Sequence, residues 1–299
     1  MALCYDMQIE RVERSRDGSI KFAYLLPSKG IAEAIYFNFN AHHRGPLVDS
    51  KVICLSSQIG CDVGCPFCET GKMNFAKNLS GLEMEQEVLM AQEYVSSRGL
   101  PPAEFYAIMG MGEPLMNTSG VLDFFKRTRK SVKRISLSTS GISIEISRLA
   151  KDPSVDFELF VSLHTPYDSQ RNQLVPSNRF WPIKKLLEAG EEYAREKGEK
   201  TTLTYMVLPN VNDSREHFND LGNLVDPKFF SFQFTCVNSL DSNKTEKTRK
   251  RFMEDIVPEL EKIMDSRGIT FDVQLSKGFD IKGGCGQLST EITKEGKKI

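Results

Sequence analysis

The sequence has no uninterrupted apolar run near the roughly 18 residues that a membrane-crossing helix needs. Its first residues, MALCYDMQIERVERSRDG, carry no apolar core of the kind a secretory leader uses. Net charge is nearly absent too. Thirty-nine basic and 40 acidic residues leave −1 in a chain of 299. That balance excludes a uniformly basic nucleic-acid coat and confines any RNA contact to local patches. No repeat of solenoid period and no low-complexity tract is present. These absences lead us to expect a cytoplasmic globular protein with no membrane partner, and a monomer. What the chain does have is seven cysteines, an odd number. Without a leader, that count speaks against a disulfide framework and for metal or redox chemistry.

Two strand-like runs, Ile20–Leu26 and Ala32–Phe39, open the chain, and a polar stretch follows from Asn40 to Ser50. Strands and helices then alternate. Strands are expected at Val52–Ser56, Phe105–Met109, Ile135–Ser138, Phe157–Leu163, Thr202–Leu208 and Phe230–Cys236, and a final one at Thr270–Leu275. Helices are expected between them, the first entered through Ser80 with Glu83 three residues on. The last is read as one long helix over Thr245–Ser266. Six strand–helix units in series imply a parallel sheet with right-handed crossovers. Alternation alone fits an open doubly wound sheet or a partial barrel, and in both the ligand site lies at the carboxyl ends of the strands.

The strongest local signal is Cys61-Asp-Val-Gly-Cys65-Pro-Phe-Cys68. One tight loop can aim three thiolates at one face of a metal cluster. Three local ligands fall short of the closed four-ligand cage of structural zinc. They suit a [4Fe–4S] cluster that keeps one iron open for a ligand with nitrogen and oxygen donors. A zinc site completed by a histidine or a distant cysteine is the plainer alternative. Further on, Gly110-Met-Gly-Glu113-Pro is no dinucleotide fingerprint, because Leu115 stands where the third glycine belongs. Its glycines are read as room for a ligand, and Glu113 as an acceptor for a ligand ammonium. Ser138, Ser162 and His164 fall at successive strand ends and so should face one mouth.

With Phe67 before the last cysteine, this motif resembles the radical S-adenosylmethionine (SAM) signature. The segments Cys54-Leu-Ser-Ser-Gln-Ile-Gly-Cys61, Gly110–Asn117, Ser136–Gly141, Val161–His164, Arg171–Pro176 and Gly278–Leu288 narrow the likeness to the RlmN/Cfr family of RNA adenine methyltransferases. The resemblance covers roughly residues 50–290. It implies a partial (β/α)6 barrel over 50–290 with a C-terminal cysteine loop, a short N-terminal β extension over 1–49 and a tail at 291–299. It implies one [4Fe–4S] cluster on Cys61, Cys65 and Cys68, and two SAM molecules per turnover. Glu113, Ser138, Ser162, His164 and Asn238 map onto cofactor contacts. Cys285 is expected to carry a methyl group, which a radical converts into a carbon that adds to an sp2 carbon of adenine in rRNA or tRNA. Cys54 then resolves the adduct, leaving a disulfide with Cys285. Cys285 sits in Gly-Gly-Cys-Gly, read as a flexible loop. A reductant such as flavodoxin or ferredoxin is the expected partner beside RNA. Cys4 and Cys236 are read as structural.

The likeness weakens on the substrate side. Family members carry an additional N-terminal domain, whereas here Cys54 comes early. The stretch Phe37-Asn-Phe-Asn-Ala-His-His-Arg44-Gly-Pro lacks the family's glutamate, and Ser239–Glu246 replaces a proline- and aromatic-rich segment. The same chemistry on a small molecule or peptide is therefore the second reading, and a non-catalytic iron–sulfur or zinc protein the third. Lys126–Arg134 and Lys244–Arg251 are the basic runs that could meet phosphates.

Overall fold

Residues 5–40 and 49–289 are described by the computed structural model. Cys4, most of the linker before the first barrel strand and the tail at 291–299 lie outside them. Strands β1 (Gln8–Arg14), β2 (Ile20–Leu25) and β3 (Ile31–Asn40) form an antiparallel meander. The sequence reading missed β1, whose pattern QIERVER is mostly polar and half exposed. Strand β3 pairs antiparallel with β4 (Asp49–Leu55), with Ile35 opposite Cys54. A short hairpin of β5 (Gln58–Ile59) and β6 (Lys77–Asn78) brackets the cysteine loop.

From β4 onward every pairing in the main sheet is parallel: β7 (Phe105–Ile108), β8 (Arg134–Thr139), β9 (Glu158–Ser162), β10 (Thr201–Val207), β11 (Phe230–Cys236) and β12 (Phe271–Val273) follow in sequence order. The ten-stranded sheet does not close on itself, so the barrel is partial. Helices α1 (Gly81–Ser96), α2 (Thr118–Thr128), α3 (Ser143–Lys151), α4 (Asp168–Leu174), α5 (Ile183–Lys197) and α6 (Arg215–Leu224) make the crossovers. The capping box at α1 forms as expected, with Ser80 accepting from the Glu83 amide and Glu83 reaching back.

The expected long helix is two. Helix α7 (Ser242–Arg251) passes through a π turn at Phe252–Ile256 into α8 (Val257–Asp265). Pro258 sits in the first turn of α8. It has no N–H to donate and its ring crowds the carbonyl four residues back, so the ladder widens there.

Strand alternation sorts the barrel. On β8 to β11 the outward residues Ile135, Leu137, Val161, Leu203, Tyr205, Phe232 and Phe234 are buried beneath the helices. Their inward neighbours Ser136, Ser138, Ser162, Thr204 and Gln233 are small or polar and leave the lumen hollow.

Candidate active site

A cavity of about 210 Å³ opens at the carboxyl ends of the parallel strands, and Cys54, Cys68, Ser138, Ser162, His164 and Cys285 line it. The three clustered cysteines follow β5, and the loop folds on itself where a Cβ at Gly71 would lie 2.7 Å from the Cys65 carbonyl oxygen. Burial pushes the Cys61 thiol up to about 12, and Cys65 and Cys68 are raised as well. Cys61 and Cys65 are raised further by neighbouring thiols and by Glu113. Without a cation these groups hold their protons, so a cluster has to displace them on binding. Three thiols on one loop fall one short of a closed zinc cage and match a [4Fe–4S] cluster, in which each thiolate takes a different iron and one iron stays open, so the donor set fits that cluster.

Glu113 is 3% exposed and ties two loops together. Its carboxylate accepts from Thr139 Oγ1 at 2.6 Å, the Leu115 amide at 3.0 Å and the Ser140 amide at 2.6 Å. Burial raises its pKa against those bonds. The Ser140 hydroxyl bonds the same carboxylate, so the roughly four acceptor sites of its two oxygens are engaged within the protein. The neighbouring glycine serves the protein rather than a ligand. Gly112 has φ +98°, and a Cβ there would lie 2.5 Å from Gln58. Gln58 in turn accepts the Glu113 amide at 2.8 Å.

His164 is buried with φ 62°, uncommon for a residue with a side chain. Its carbonyl accepts from Asn212 Nδ2 at 2.7 Å, and its Nδ1 accepts from the Met206 amide at 3.0 Å. The proton therefore sits on Nε2. Burial, helped by Arg171, holds the ring neutral with a pKa of about 3. Phe67 meets it edge-on at 5.2 Å. The Arg171 guanidinium is fully buried. It donates to the carbonyls of Ser140 (2.6 Å), Ser162 (2.5 Å) and Leu163 (3.1 Å), and to Asn178 Oδ1 (2.7 Å). The sequence reading quoted its motif without giving Arg171 a role. It is the cation that fixes the ends of β8 and β9, and it counters charge at Cys65.

Cys54 and Cys285 share the cavity, and Cys285 is the second cause, after burial, that pushes the Cys54 thiol well up. Cys285 is exposed, and all six described cysteines are free thiols. The loop expected to be flexible is tied along its backbone. Cys285 N donates to Ser276 Oγ at 3.3 Å, and its carbonyl accepts from Asn238 Nδ2 at 3.2 Å. The Glu69 amide donates to the Gly286 carbonyl at 2.8 Å, and Thr70 Oγ1 to that of Leu288 at 2.7 Å. These last two bonds join the Cys285 loop to the cluster loop. Asn238 thus lies under the Cys285 loop rather than in the cavity wall. Arg249 stacks 4.1 Å over Phe279 and donates to Asn238 and to the Ser276 carbonyl. It came from a basic run read as a phosphate patch. In the other run, Arg127, Arg129, Lys133 and Arg134 are all paired with carboxylates.

Residues 55–221 match the family model of the Radical SAM superfamily. The chain is 33% identical over 290 residues to the "Dual-specificity RNA methyltransferase RlmN" of Alcanivorax borkumensis, covering 93% of this chain and 72% of that protein. The chain belongs to the radical SAM superfamily and, within it, to the RlmN family. The Vesicomyosocius okutanii protein of the same name is 32% identical, with 95% of this chain and 78% of that protein covered. A crystal structure of a radical SAM methyltransferase from Sphaerobacter thermophilus superposes with a TM-score of 0.81 at 29% identity, over 94% of this chain and 81% of that one. Membership in this radical SAM methyltransferase family makes the protein an enzyme that uses a [4Fe–4S] cluster and SAM. No helix among the described residues is long and apolar enough to cross a membrane.

Proposed function

We propose that this protein transfers a methyl-derived carbon from SAM to a ring carbon of adenine in RNA, with Cys285 as carrier and Cys54 as resolving thiol. The observation that carries this is the cavity itself: two cysteines far apart in sequence line one space together with the cluster cysteine Cys68. The relatives' names favour RNA over the small-molecule or peptide substrate that the departures in sequence raised.

Cys61, Cys65 and Cys68 hold the cluster. Ser138, Ser162, the His164 Nε2–H and the Glu113 carboxylate are the groups that orient SAM. When bound, cluster and SAM together supply a one-electron cleavage yielding a radical that can take hydrogen from an unactivated methyl group. That capacity matters because an electron-poor aromatic carbon resists polar methylation. Exposed Cys285 is placed to receive a methyl group and to carry it to the base. Asn238, Ser276 and Arg249 fix the backbone beneath it. Cys54 keeps its proton in the resting site, which suppresses premature attack of its sulfur on the sulfur of Cys285. Product release forms a Cys54–Cys285 disulfide as the carbon–sulfur bond to Cys285 breaks. A dithiol reductant then resets the pair, and a flavodoxin- or ferredoxin-type donor supplies the cluster's electrons.

The test is anaerobic incubation of cluster-loaded protein with methyl-labelled SAM and ribosomal or transfer RNA, followed by nucleoside mass spectrometry. Label is expected on an adenine ring carbon, and Cys285→Ser is expected to abolish it while SAM cleavage persists. RNA left unlabelled by the wild-type protein contradicts the proposal.

A further inference from the structure

Behind Cys54 and Cys285 the lumen continues toward the other end of the barrel as a second cavity of about 370 Å³. Phe37, Ala107, Met109, Gln233 and Gln274 are walls of both. Closed α/β barrels fill this space with branched apolar side chains. Here it is open, with Ser50, Arg134, Ser136 and Glu158 as well as Gln233 and Gln274 in its lining, and the last two join Thr235 in the wall of the first cavity. Gln233 and Thr235 point inward from β11. Gln274 follows β12 in parallel register, its amide donating to the Phe234 carbonyl at 2.9 Å.

These polar groups are unpaired. Thr235 Oγ1 is buried with no hydrogen-bond partner. The side-chain amides of Gln233 and Gln274 have none among the described residues. Nearby amides are spent within the protein: Gln58 on Asn78, Asn212 on His164, Asn238 on Ser276, Gln287 on Ser239. A native site that satisfies its other amides and leaves these three groups facing a cavity is built for an occupant with donors and acceptors on one edge. Phe37 and Met109, which wall both cavities, give that occupant an apolar face to lie against. A planar ring with a hydrogen-bonding edge and a stacking face is a nucleobase.

We infer that Gln233, Thr235 and Gln274 grip the edge of the adenine that is modified, which makes them specificity-determining residues. The inference rests on the RNA reading above. A glutamine carbonyl accepts from the exocyclic amine of adenine while its NH2 donates to a ring nitrogen, a bidentate match. The base has to leave its stack to arrive, and the aromatic wall replaces part of the lost stacking. Held by these three groups, its ring lies in the first cavity, which Gln233, Thr235 and Gln274 line together with Cys54 and Cys285.

The test uses Gln233→Met, Gln274→Met and Thr235→Val, which keep volume and remove hydrogen bonding. Cluster-loaded proteins are compared for methyl transfer to unfractionated ribosomal and transfer RNA, for SAM cleavage without RNA, and for methylation of Cys285. Each glutamine variant is expected to lose roughly 10- to 100-fold in kcat/KM for RNA, with SAM cleavage and Cys285 methylation at wild-type level. Full methyl transfer in both glutamine variants overturns the pocket and leaves the RNA reading standing. Loss of Cys285 methylation along with methyl transfer assigns the residues a structural role and also overturns it. Absence of transfer to RNA by the wild-type protein removes the RNA reading and the pocket with it.

Discussion

At the scale of single residues, environment separates side chains that the sequence treats alike. Cys54 and Cys285 are both free thiols, yet Cys54 is half-buried with its thiol pushed well up, while Cys285 is exposed. In cluster-free protein, iodoacetamide is therefore expected to alkylate Cys285 at least about 10-fold faster than Cys54, since the thiolate is the nucleophile. Equal rates by peptide mass spectrometry would contradict the shielding of Cys54 relative to Cys285. Glu113→Gln replaces one acceptor oxygen with a donor facing amide N–H groups that already donate. It is expected to cost about 1–3 kcal/mol of stability and to weaken SAM binding, with iron content unchanged. Calorimetry against SAM checks the second effect, and unaltered affinity would take Glu113 out of the cofactor site. The clustered cysteines and the strand-end serines were legible in the sequence because their type and spacing carry the chemistry. Arg171 and Arg249 were not. Their roles come from carbonyls and an aromatic ring that only the fold brings to them.

At the scale of elements, the parallel strands announced themselves as apolar runs buried on their outer face. Strand β1 did not, because as a half-exposed edge it needs little apolar surface. The break at Pro258 was legible in principle, and helical periodicity on both sides masked it. The Cys285 loop depends on a long-range tie. The Ser289 amide donates to Glu33 Oε2 at 2.9 Å, while Lys21 lies 3.5 Å from the other oxygen. Burial lifts Glu33 from 4.5 to about 7 despite both contacts. The folded chain thus keeps a proton that the unfolded chain releases. The stability from this group is fully present below pH 4.5 and is lost as pH rises through about 7. Glu33→Gln keeps an acceptor for Ser289 without the charge. It is expected to raise Tm relative to wild type by a few degrees at about pH 8 and by little at about pH 5. A difference independent of pH in thermal melts would contradict this assignment.

At the scale of the whole molecule, a hollow lumen under a rim of loops puts Cys68, Ser162, His164, Cys54 and Cys285 around one space. The order of strands and helices was readable from alternation. Closure into a partial barrel was not, since the same alternation builds an open sheet, and only the family resemblance chose between them. Loss of any one of Cys61, Cys65 or Cys68 to Ala is expected to remove essentially all of the ~4 irons per chain, by iron and sulfide assay. Stoichiometric zinc in place of iron in anaerobically prepared wild-type protein would contradict the cluster. The central claim is that Cys285 carries carbon to a base and Cys54 releases it. It is tested most directly by Cys54→Ala, incubated with RNA under turnover conditions, digested with nuclease and protease, and examined by peptide mass spectrometry. The account predicts a Cys285 peptide bearing one added carbon bonded to an adenine nucleotide, trapped because the resolving thiol is gone. A Cys285 peptide recovered without any nucleotide, from a variant that still cleaves SAM and methylates Cys285, would contradict it.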